Sequence, residues 1–167
     1  ISLTGIGGSS GIVDSKYNYG VYVYDSADII SSGVGVDAAT ITLEGTGGAG
    51  EMYNRGIHLY QDVLISTVVG AVLLAGVGVR NGAMGSDANY GGTANRADIV
   101  AAGTGAYAGT ITLNVTGGAG EDGNLGVQLY SNTGSSLSSV DGAILLTGVG
   151  SSNGMVGSDL NFGVAIG

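Results

Sequence analysis

The sequence predicts an all-β chain wound as a parallel β-helix, a β-solenoid of about five coils of ~35 residues paired into two-coil repeats. Three observations predict it. An Asn stands two places before a Gly at Asn18, Asn54, Asn89, Asn124 and Asn161, in steps of 36, 35, 35 and 37 residues. An apolar strand starts at Ile1, Ile41, Val72, Ile111 and Ile144 and precedes those Asn by 17, 13, 17, 13 and 17 residues. Within each coil, apolar and polar residues alternate with a period of two, as in a half-buried strand.

The elements follow in chain order. The first strand of a coil reads as in Thr40-Ile41-Thr42-Leu43-Glu44 and Thr110-Ile111-Thr112-Leu113-Asn114, with Leu3, Leu43, Leu113 and Leu145 expected on one inner wall. A loop follows, about four residues longer in alternate coils, around Asp14-Ser15, Ser86-Asp87 and Ser158-Asp159. That alternation gives units of roughly 1–71, 72–143 and a partial 144–167 within one solenoid segment, 1–167. An insertion recurring in register maps to one face of the stack. The corner comes next. Its Asn residues are expected to stack as an amide ladder that satisfies turn backbone, with the Gly supplying a conformation closed to other residues. The second strand carries inward pairs Val21 and Val23, Ile57 and Leu59, Val127 and Leu129, Val164 and Ile166. The third coil has Gly92 and Ala94 instead, which predicts a thinner core there. A short third strand centres on Ile29-Ile30, Leu64-Ile65, Ile99-Val100 and Leu137. No sustained 3.6-residue period appears, so no helix is expected.

Composition narrows the function classes. The 35 Gly follow no Gly-X-Y rule, and 44% apolar content is too high for a disordered linker. A net charge of −9 without a basic patch argues against nucleic acid and anionic membranes as partners. The longest apolar stretch, Val68 to Val79, is broken by Gly70, Gly76 and Gly78, so no membrane-spanning helix is expected. With no Cys there is no disulfide framework. The chain starts inside a strand and stops inside a coil, which suggests part of a longer repeat chain or a unit polymerised end to end.

Chemical motifs are sparse. Gly45-Thr46-Gly47-Gly48-Ala49-Gly50 fits the dinucleotide pattern, but a strand follows where a helix N-terminus is needed. Gly117-Gly118-Ala119-Gly120-Glu121-Asp122 opens like a calcium-binding nonapeptide, which leaves Asp87, Glu121, Asp122 and Asp159 as weak calcium candidates. His58 is the single His and is expected on the surface, since it has no Cys or second His to build a zinc site. Asp25, Asp28, Glu44, Asp62 and Asp98 are scattered, so no acid/base pair and no enzyme activity is expected. Tyr24, Tyr60 and Tyr130 share one outward position, which coil three gives to Asn95. They are a candidate interaction face for sugars or a neighbouring fibre.

The segments TITLEGTGGAG, NYGVYVYDSADIISSGVG and TITLNVTGGAG resemble the repeats of filamentous-haemagglutinin-like bacterial surface proteins, notably of cyanobacterial type. The resemblance implies a right-handed parallel β-helix, an extracellular or cell-surface location, and fibre-forming or adhesive roles. It carries no functional residues over. The expectation is a structural protein whose coils stack end to end into a fibre or sheath. The alternative is an adhesin stalk that binds glycans or other surfaces through outward Tyr, Ser and Thr.

Overall fold

The computed structural model describes residues 1–8, 15–35, 38–79, 87–120, 122–130, 134–150 and 160–167. Among them the chain is a β-solenoid of about four turns, followed by the strands of a fifth coil. The first strands of successive coils are β1 (Ser2–Ile6), β4 (Ile41–Thr46), β6 (Val72–Val77), β8 (Ile111–Thr116) and β11 (Ile144–Val149), and they form one sheet in that order. The second strands are β2 (Val21–Tyr24), β5 (Ile57–Thr67), β7 (Gly92–Ala101), β9 (Val127–Tyr130) and β12 (Val164–Ile166). The third strands, β3 (Asp28–Ser31) and β10 (Ser136–Ser139), join this sheet through β5 and β7. Every pairing is parallel, between one coil and the next. The one helical piece among the described residues is a 3₁₀ turn, Gly105–Tyr107.

In coils two and three the second and third strands run on as β5 and β7, bent by an irregularity after Tyr60. The bend is left-handed backbone: Asp25 and Ser26, then Gln61 and Asp62, then Arg96 alone, all with φ between 51° and 64°. Coil three turns this corner with one residue fewer.

The pleat places alternate residues inside. Leu3, Leu43, Leu74, Leu113 and Leu146 lie in one register column. Leu146, not Leu145, completes this wall. Leu145 pairs with Thr112 and is 56% exposed, because it is one residue out of phase with the inner face. A second column, Ile29, Ile65, Ile99 and Leu137, closes the third side. The middle coils are sealed, with Ile41, Leu43, Ile65, Val72, Ile99 and Ile111 buried, each worth about 1.5–3 kcal/mol in burial.

The expected gap in coil three is largely closed by coil four. In four of the five coils a Gly ends the first strand's inner column: Gly5, Gly45, Gly76 and Gly148. Coil four has Val115 instead, buried, with its Cγ1 3.2 Å from where a Gly92 Cβ would sit. Val115 occupies the room that Gly92 vacates. A cavity of about 10 Å³ remains beside Ala94.

Of the insertions expected around Asp14-Ser15, Ser86-Asp87 and Ser158-Asp159, Ser15 and Asp87 are among the described residues, and the rest, with Asp159, lie outside them, as does Glu121.

Candidate functional site

Each coil turns from its first sheet into its second at the Asn corner. The Nδ2 of Asn18 donates to Oδ1 of Asn54 at 2.8 Å, that of Asn54 to Asn89 at 2.7 Å, and that of Asn89 to Asn124 at 3.1 Å. The Oδ1 of the next coil's Asn also accepts a backbone N–H: Asn54 N–H to Asn89 at 3.2 Å, Asn89 N–H to Asn124 at 3.3 Å, and Asn124 N–H to Asn161 at 2.9 Å. Asn54, Asn89 and Asn124 are fully buried. Amides fit here because each offers both a donor and an acceptor along the axis.

The corner Gly works differently from the sequence expectation. Gly20, Gly56, Gly91, Gly126 and Gly163 have no left-handed φ. They are needed for close approach: a Cβ on Gly91 would stand 2.5 Å from the Thr116 backbone nitrogen, and one on Gly126 2.5 Å from that of Val149. The left-handed residue is the one before each Asn, namely Tyr17, Tyr53, Ala88, Gly123 and Leu160, at φ between 56° and 63°. Only coil four spends a Gly there. For Tyr, Ala and Leu this conformation costs roughly 1–2 kcal/mol each.

That kink throws Tyr17 and Tyr53 outward, where their rings stack 5.0 Å apart and 5° from parallel. One residue after the Asn, Tyr19, Arg55 and Tyr90 follow one another, and the Arg55 guanidinium lies over both rings, at 5.6 and 5.2 Å, and over Tyr53 at 5.7 Å. On the second strands, Tyr22 stacks on Tyr24 at 4.8 Å and on His58 at 5.1 Å, and His58 stacks on Tyr60 at 5.4 Å. Tyr130 hydrogen-bonds Tyr90, whose phenol is pushed up to about 12, mainly by burial. Eight of the nine Tyr thus join one cluster with Arg55 and His58.

His58 is outward-facing but not a surface residue. The rings of Tyr19, Tyr22 and Tyr60 and the Arg55 side chain cover it to 6% exposure. A guanidinium only donates, so Arg55 Nη1, 2.9 Å away, makes His58 Nε2 an acceptor. The ring proton then sits on Nδ1 and donates to Thr93 Oγ1 at 2.5 Å. Burial, and next the Arg55 charge, lower the His58 pKa to about 3.

Tyr24, Tyr60 and Tyr130 do share a register column with Asn95. They do not form a free platform: Tyr24 is 54% exposed, while Tyr60 and Tyr130 are half-buried against their neighbours. The larger cluster could have been read from Tyr17, Tyr19, Tyr22, Tyr53 and Tyr90, all within two residues of a ladder Asn or on the strand after it.

Of the calcium candidates, Asp87 and Asp122 occupy adjacent coils. Asp87 Oδ1 accepts the Asp122 backbone N–H at 3.0 Å, the role of a turn cap. No group of three ligating side chains occurs among the described residues. The scattered carboxylates hold local contacts: Asp62 pairs with Arg96, Asp98 accepts from Ser136 Oγ at 2.6 Å, and Glu44 accepts from its register partner Thr4 on the neighbouring strand of the same sheet. No helix of the described chain is long and apolar enough to cross a membrane. No family model, curated protein or solved structure matches the chain.

Proposed function

We propose that this chain is a structural element of an extracellular fibre or sheath, built by coils stacking end to end, with no catalytic role. The observation that carries this is a bonding pattern repeated without change along one axis. Val21, Ile57, Gly92 and Val127 each donate their N–H to the corner Gly carbonyl of the next coil, at 2.9–3.0 Å. A further coil, whether of the same chain or of another copy, would extend the same pattern by accepting the Val164 N–H, because a parallel strand edge adds strands unless blocked. The resemblance to haemagglutinin-like repeats supports the same reading and the extracellular location.

Electron microscopy of the purified chain across a concentration series tests this. Rods longer than one unit are expected. Val164→Pro removes a free donor without breaking a bond inside the coil, so it should leave the circular dichroism intact and stop elongation. Single particles at every concentration, or rods formed equally by Val164→Pro, would overturn the proposal.

The second reading, an adhesin stalk, draws on the exposed rings of Tyr17, Tyr22 and Tyr24. Glycan-array binding that disappears in Tyr24→Ala would favour it. No binding by the parent chain would end it.

A further inference from the structure

We infer that Tyr17 and Tyr53 are an oxidative cross-linking site, which a peroxidase-class oxidant converts to dityrosine. The two come from adjacent coils, and the same left-handed backbone before the ladder Asn presents both. Their rings lie face to face at 5.0 Å and 5°. Tyr17 is 60% exposed, so an oxidant reaches it from solvent. The chain has no Cys and no Trp to divert the oxidation, and no disulfide to perform the same stapling. The aromatic faces are already occupied by one another, which suits ring-to-ring coupling better than stacking on a sugar.

The chemistry balances. Each phenol gives up one electron and one proton, and hydrogen peroxide accepts both pairs to become two waters. The two phenoxyl radicals join through one ortho carbon each, and the hydrogens on those carbons move to the phenolic oxygens. The product has one new carbon–carbon bond and two fewer hydrogens. Holding the rings in place before reaction replaces a bimolecular encounter by an intramolecular one. The link closes the loop between coils one and two and limits the unfolded chain, as any long-range cross-link does.

Tyr107 is the internal control. It is 47% exposed and has no ring neighbour among the described residues. The test treats dilute chain with a haem peroxidase and hydrogen peroxide, then denatures it and cleaves after Glu44 and Glu51, which separates Tyr17 from Tyr53. Dityrosine fluorescence on a monomer-sized product is expected, with the Tyr17 and Tyr53 peptides joined and lighter by two hydrogens. Tyr17→Phe and Tyr53→Phe keep the stacked ring but remove its phenol, so each should lose that joined peptide while folding as before. The oxidised parent should unfold at a higher temperature than oxidised Tyr17→Phe. Absence of the joined peptide in the parent, or dityrosine only in covalent dimers or at Tyr107, would overturn the inference.

Discussion

Asn89 shows how much a single side chain carries in this fold. It accepts from both the backbone and the Nδ2 of Asn54 and donates to Asn124, all in a fully buried corner. Asn89→Ala strands partners on both sides and should cost about 3 kcal/mol in urea unfolding, the upper end of the range for buried unsatisfied groups. Asn18→Ala, at the part-exposed end of the ladder, should cost about 1 kcal/mol. His58 makes a second prediction at this scale. Its folded pKa of about 3 lies below the unfolded value of 6.5, so its contribution is complete above pH 6.5 and declines as pH falls toward 3. The groups that face it are Arg55, Thr93 and the rings of Tyr19, Tyr22 and Tyr60. Between pH 6.5 and 5, above most carboxylate titration, the slope should approach ~1.4 kcal/mol per pH unit. His58→Gln, which copies Gln128 of coil four, should flatten it.

At the scale of the strand and corner, two adjacent Gly residues should answer the same substitution in opposite ways. Gly91→Ala drives a methyl into Thr116 backbone and should cost about 3 kcal/mol. Gly92→Ala meets only the tip of Val115, fills part of the small cavity and should stabilise by about 0.5–1 kcal/mol. Gly92→Val needs Val115→Gly beside it, and a double-mutant cycle should show favourable coupling. This is also where sequence reading found its limit. The periods of 35 and of two exposed the coils, the strands and the Asn positions, because both follow from stacking and the pleat. The exchange between Gly92 and Val115 was not legible, since it joins different positions of different coils and breaks the repeat twice to restore volume once. The left-handed residue was hidden for a related reason: Tyr17, Tyr53, Ala88 and Leu160 do not advertise positive φ as Gly123 does. His58 was misplaced because a period of two gives the face of a sheet and says nothing of what its neighbours cover.

The whole molecule is a stack in which nearly every long-range bond joins one coil to the next. Its sheet hydrogen bonds, its amide column and its aromatic cluster therefore all point along one direction, the axis of the rod. A load applied between the two ends does not shear these bonds together as it would in a sheet pulled along its strands. It opens them one winding at a time. In single-molecule pulling, the trace should be a sawtooth of low, evenly matched peaks, each releasing about 35 residues, or roughly 120 Å of slack. One tall peak that releases the entire length would be the contrary result. A rod of this design yields gradually under tension and spreads the strain over many small events.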